Sequence, residues 1–270
     1  MMEQRLFDAQ PLWNLNLFTP LLAALPRIGT TLTVMPLFPS SLFPLFLRGS
    51  IVISLSLYLY PHMAAQIPAD LSLYLWLGLI VKEIFIGALL GFAIGALVWV
   101  FEGVGSMLDF QVGFSNARVF DPFGGHEAGP LGQFITRLGV VLFVAAGGLQ
   151  VLVSLLIESF HLWPVASFYP SISGQLPDFA DASARSIAEL TVRLAAPAVL
   201  LLAFVDLGFG LLNRVVPQLN VFFFTMPIKG TLAALMIALY LSYLSDVVIG
   251  QLAGLHAWLE RLTVDLAPPH

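Results

Sequence analysis

The residues able to do chemistry in this chain are charged groups set inside long apolar runs: Lys82 and Glu83 in one, Asp206 and Arg214 around another, Asp246 in a third. Ionisable groups at bilayer depth are costly, face protein or water, and often mark ion or substrate pathways. Lys82, Glu83, Asp206, Arg214 and Asp246 are therefore candidates for a proton or substrate relay. Against one shared relay, neighbours on a helix diverge by about 100°, which sends the Lys82 and Glu83 side chains apart. Catalytic constellations are missing. The chain has no P-loop, G-x-G-x-x-G, H-E-x-x-H or G-x-S-x-G, the signatures of nucleotide, zinc-protease and hydrolase chemistry. Its five histidines are scattered, with no i, i+4 pair to hold a metal, and it contains no cysteine. Neither an enzyme nor a cofactor is expected.

The elements carrying these charges are set by composition. Of 270 residues, 59% are apolar and 10% charged, and the mean hydropathy is +0.92. A soluble domain carries about 25% charged residues, so this is the composition of a membrane protein with lipid as its solvent. A net charge of −5, with only Lys82 and Lys229 as lysines, disfavours nucleic acid as a partner. Six stretches are long enough to cross a hydrocarbon core of about 30 Å: 12–38, 41–60, 71–101, 131–160, 187–213 and 231–259. None alternates as barrel strands do, and unpaired backbone is excluded from lipid. An all-α, polytopic fold follows, read as a single membrane-embedded domain over 1–270. Arg5, Glu3 and Asp8 before the first run are not the basic leader of a cleaved signal. With six spans, Arg48, Arg118, Arg214 and Lys229 fall on one side and Arg5, Arg185 and Arg261 on the other, a weak orientation bias.

Small residues recur on the same helices. Gly87, Gly91 and Gly95 repeat every fourth position, with Glu83 one turn earlier on nearly the same stripe. Such spacing lets helix backbones approach closely. Ser242, Asp246, Gly250 and Gly254 repeat it in the last run, and Gln150, Ser154 and Glu158 share a face in the fourth. Three readings stay open for these stripes: packing within the fold, a relay, or docking onto other membrane subunits.

Two stretches are irregular. Asn213 to Lys229 places Pro217 and Pro227 around Gln218, Asn220 and an aromatic run. Broken yet apolar backbone must be buried in protein or line a cavity. The stretch 102–130 is rich in glycine but keeps Met107, Phe110, Phe114 and Phe120 as apolar bulk, with Asp109, Gln111, Gly113, Asn116, Asp121 and Pro122 among them. Glycine there permits backbone conformations closed to other residues, and apolar bulk seals a pore by excluding water. It is a candidate gate or plug. The connection 161–186, with three prolines, reads as a solvated loop ending in the capping box Ser186-Ile-Ala-Glu189.

Together these residues resemble the SctT/FliR membrane proteins of the type III secretion export apparatus. The likeness rests on Lys82-Glu83 with Gly87 and Gly91, on Gly105 through Asp109-Phe-Gln111-Val-Gly113, and on Asp121-Pro122 and Gly147-Gly148. It rests above all on Asn213-Arg214, Pro217-Gln-Leu-Asn-Val221 and Met226-Pro-Ile-Lys229. Trp163-Pro164 makes it more similar to the SctT, injectisome branch than to FliR. The resemblance implies a non-enzymatic, multi-pass subunit of the export gate in the bacterial inner membrane. It implies SctR-like, SctS-like and SctU-like subunits and membrane lipid as partners, with unfolded secreted proteins in transit. It also implies a plug in 102–130, and hydrophobic segments that need not be six ordinary spans. Lys82, Glu83, Gly87, Gly91, Gly95, Asp206, Arg214, Pro217, Gln218, Asn220, Pro227, Lys229 and Asp246 are then candidates for packing and assembly. The alternative is an ion-coupled or small-molecule transporter, which should show paired broken helices in two inverted halves. Only the region near Pro217 is clearly broken.

Overall fold

A computed structural model describes residues 15–37, 43–63, 73–114, 129–165, 167, 175–218 and 221–265. All seven elements among them are helices: α1 (Leu15–Val34), α2 (Leu45–Met63), α3 (Leu73–Val112), α4 (Pro130–Ala145), α5 (Gly148–Leu162), α6 (Gln175–Val215) and α7 (Val221–Asp265). Against the six spans expected, three helices are long and apolar enough to cross a membrane. They are Tyr74–Val112, Arg185–Val215 and Phe223–Leu255, and the bent pair α4 and α5 makes a fourth if it counts as one span. The apolar parts of α1 and α2, Leu21–Val34 and Leu45–Tyr60, are shorter.

The differences from the sequence reading have local causes. The fourth run breaks at Gly147, whose φ of +85° suits glycine alone, and whose N–H bonds back to the Val144 carbonyl at 3.1 Å. Helix α3 continues through Val112, so the first eleven positions of the stretch 102–130 are helical. It stops at Gly113, where φ is 102° and the N–H reaches the carbonyls of Asp109 and Phe110, both at 3.1 Å. Helix α6 begins at Gln175, so the capping box at Ser186 lies within it and the solvated connection is shorter. Pro177 falls in the first turn, where backbone N–H groups have no helical partner to lose. The chain also returns to helix at Val221 with Pro227 inside α7, which narrows the broken region after Asn213.

The helices gather into two compact units. The first holds α1, α2, α3 up to Gly95 and most of α5. Its core includes Ala24, Ile28, Leu79, Ile86, Leu155 and Phe160. The second holds the rest of α3, α4, most of α6, and α7 through Ala257, around Phe101, Leu108, Ile135, Phe143, Leu202 and Val248. Many large side chains of α6 and α7 stay on the outside, with Phe204, Leu211, Phe223 and Leu239 all more than two-thirds exposed. Such apolar surface belongs against lipid or another subunit.

Candidate functional site

Two charged centres organise the helices, one in each unit. In the first, glycines let α1 and α3 come into backbone contact. A Cβ on Gly87 would overlap the Arg27 carbonyl oxygen, and one on Gly91 would lie 2.7 Å from the Thr31 carbonyl oxygen. Thr31 Oγ1 sits 2.8 Å from Arg27 O and 3.1 Å from Gly87 O, where its proton can bridge the crossing. Gly95, two turns on, is buried as well.

At this crossing Arg27 is completely buried and every N–H of its guanidinium has an acceptor. Nε donates to Glu83 Oε2 at 2.5 Å and Nη2 to Glu83 Oε1 at 3.0 Å. Nη1 donates to the carbonyl and hydroxyl of Ser159 at 2.7 and 3.1 Å, and Nη2 also to the Trp163 carbonyl at 2.9 Å. The group stacks 4.1 Å above the Phe160 ring. Lys82 Nζ donates to the carbonyls of Pro164, Val165 and Ser167 at 3.0, 2.7 and 3.0 Å, and lies 3.0 Å from Glu83 Oε1. The two neighbours therefore converge rather than diverge, because the four-carbon lysine stem bends its head back toward the carboxylate. Two cations face one carboxylate, and the excess charge is met by carbonyls at and beyond the C-terminus of α5, where the helix dipole favours positive charge.

In the second unit, Asp109 on α3 reaches the start of α4. Its carboxylate accepts the N–H groups of Leu131 at 3.2 Å and Gly132 at 2.9 Å. These are among the donors a helix start leaves unpaired, and no side chain of α4's own N-cap serves them. The close approach needs Gly105, whose Cβ would stand 2.6 Å from Gly132 Cα. Two residues after Asp109, the end of α3 is held by a triangle. Lys229 Nζ donates to the Gln111 carbonyl at 2.6 Å and pairs with Asp206 Oδ1 at 2.8 Å. Gln111 Nε2 donates to Asp206 Oδ2 at 3.0 Å. The triangle floors an open cleft of about 350 Å³ lined also by Phe110, Gly113, Phe209, Asn213 and Met226.

The structure thus joins Gln111 from the glycine-rich stretch with Asp206 and Lys229. It does not join Arg214 to them; Arg214, Pro217 and Gln218 are exposed, as are Pro227 and Asp246. Met107 is 39% and Phe110 73% exposed, and Phe114 approaches Gly230. Asn116, Phe120, Asp121, Pro122 and Asn220 lie outside the described residues. Sequence reasoning missed the role of Arg27 as the partner of Glu83, although an arginine inside an apolar run was the available signal. No cluster of His, Asp and Glu suited to a metal occurs among the described residues. Arg27, Lys82, Glu83, Asp109, Asp206 and Lys229 are all tied by hydrogen bonds or ion pairs, a chemistry of holding helices rather than of bond making.

The model of a family described as bacterial export proteins, family 1, matches residues 18–255. Over 217 residues the chain is 34% identical to Yop proteins translocation protein T of Yersinia pestis, covering 80% of this chain and 83% of that protein. It is 30% identical over 216 residues to secretion system apparatus protein SsaT of Salmonella typhimurium, covering 78% and 82%. To flagellar biosynthetic protein FliR of Bacillus subtilis it is 27% identical over 235 residues, covering 87% and 90%.

Proposed function

The chain belongs to the bacterial export proteins, family 1, and from that membership we propose that it is a subunit of the type III secretion export gate in the bacterial inner membrane. It is an export protein and not an enzyme. On this reading it assembles with SctR-like, SctS-like and SctU-like membrane subunits and helps to form and close a channel for unfolded secreted proteins. Higher identity to the translocation and secretion-system relatives than to the flagellar one supports the injectisome branch. The exposed apolar faces of α6 and α7 support a place in a larger assembly.

The observation that carries the gating role is the grip of Lys229 and Asp206 on Gln111. It pins the end of a span at the point where the glycine-rich stretch leaves it. The gate residues run from Met107, Asp109, Phe110, Gln111, Gly113 and Phe114 to Asn116, Phe120, Asp121 and Pro122. Closure has to yield to a passing chain without unfolding the helices around it, and an apolar glycine-rich stretch anchored at a helix end meets that need. Deleting 113–120 should leave the complex assembled while cells become permeable to small ions and sensitive to salt. A deletion complex that assembles and stays ion-tight would place the seal elsewhere. A monomer that moves a small solute in liposomes would support the transporter reading instead.

A further inference from the structure

Helix α7 has two opposite faces that differ in kind. Ile237, Leu244, Val248 and Leu252 are all under 10% exposed and pack into the second unit. At about 100° per residue, Leu239, Ser242, Asp246, Ile249, Gly250 and Gly254 share the reverse side, and every one of them is exposed. The glycines settle what this side does within the fold. Where Gly87 and Gly91 press on the backbone of α1, a Cβ at Gly250 or Gly254 would meet nothing within 4 Å. No described residue pairs with Asp246, which stands nine positions before the end of the span Phe223–Leu255. A carboxylate at that depth, beside a notch of glycine, is left open to whatever covers it. Lipid tails offer it no partner.

We propose that this face of α7 is the docking surface for a transmembrane helix of another subunit that carries a lysine or arginine opposite Asp246. A cation answers the carboxylate, and apolar side chains on the same helix fill the space above Gly250 and Gly254. A second copy of this chain is the poorer occupant, because a two-fold contact through this face sets two copies of Asp246 against each other. The inference rests on the export-gate reading for the source of the helix and goes beyond it by naming the recognising residue and the partner's charge.

The test uses the full chain co-expressed with its neighbouring export subunits, purified through a tag on this chain. Asp246→Lys should reduce the recovery of one subunit at least tenfold, and replacing that subunit's membrane-embedded basic residue with Asp should restore it. The chain has no cysteine of its own, so Gly250→Cys supplies a single thiol that should form a disulfide with a cysteine placed one turn from that basic residue. Gly250→Leu reports on packing alone and should weaken the same subunit's recovery without a charge change. Wild-type recovery of all subunits with both Asp246→Lys and Gly250→Leu would show that this face meets lipid, overturning the proposal while leaving the export-gate reading intact. If the unaltered chain recovers no export subunit, the export-gate reading fails, and the docking proposal with it.

Discussion

Arg27 and Glu83 stand 56 residues apart and share two hydrogen bonds, of 2.5 and 3.0 Å, with both side chains at or below 1% exposure. Removing one member of a buried pair leaves the other charge uncompensated, at a cost of about 3–5 kcal/mol. Glu83→Gln should therefore lower the folded yield and the thermal midpoint in detergent sharply, with Arg27 and Lys82 both left facing a neutral amide. Exchanging the two charges should not restore stability. A glutamate at position 27 cannot donate to the carbonyls of Ser159 and Trp163 that Arg27 now serves. Wild-type melting of the exchanged protein would show that the pair matters and the carbonyls do not.

The α1–α3 crossing makes a separate prediction. Because a Cβ on Gly91 would stand 2.7 Å from a backbone oxygen of α1, Gly91→Val forces the helices apart and lengthens the bonds that Arg27 makes. Overpacking alone costs about 1–3 kcal/mol. Gly250→Ala, with open space at its Cβ, should leave the melting of the isolated chain within about 0.5 kcal/mol of wild type. Equal losses at the two positions would contradict the packing described for them.

Asp109 gives a local test. Asp109→Ala removes the acceptor for two N–H groups at the start of α4, an effect of about 0.5–2 kcal/mol for a helix cap. Amide exchange at Leu131 and Gly132 should accelerate, while exchange in the middle of α4, around Phe143, stays slow. Uniform acceleration along α4 would mean that Asp109 holds the whole helix and not its first turn.

Much of this could be read from residue types and spacing. The period-four glycines with Glu83 on the same stripe point to a close helix contact, and Gly87 and Gly91 make one with α1. The identity of the partner was not legible, since an arginine 56 positions earlier carries no spacing signal. The Lys82–Glu83 geometry was misjudged from helix angles, because angles describe where a side chain starts and a lysine head travels several ångströms from there. Pro227 looked like a breaker, yet a 45-residue helix has enough further turns and packing to outweigh a local cost of about 3 kcal/mol. The cap by Asp109 was hidden for a different reason. It joins residues over 20 positions apart across a stretch with no regular period, so nothing in the spacing distinguishes it from any other acid in a glycine-rich segment.

The triangle of Gln111, Asp206 and Lys229 separates gating from assembly. Asp206 is 41% exposed and Lys229 9%, so the ion pair itself is worth only about 0.2–1 kcal/mol in a double-mutant cycle. Its reach is greater than that figure, because Lys229 also holds a backbone carbonyl in the last turn of α3. Lys229→Met should leave the stability of the chain nearly unchanged but free that turn, so that membranes containing the assembled complex conduct small ions in the absence of cargo. Asp206→Asn keeps an acceptor for Gln111 Nε2 and leaves Lys229 free to hold the carbonyl, so its leak should be much the smaller. Conductance measured in planar bilayers for the two variants decides the matter. If Asp206→Asn leaks as much as Lys229→Met, the ion pair and not the carbonyl holds the end of α3. If neither leaks, the triangle braces the helices without bearing on the gate.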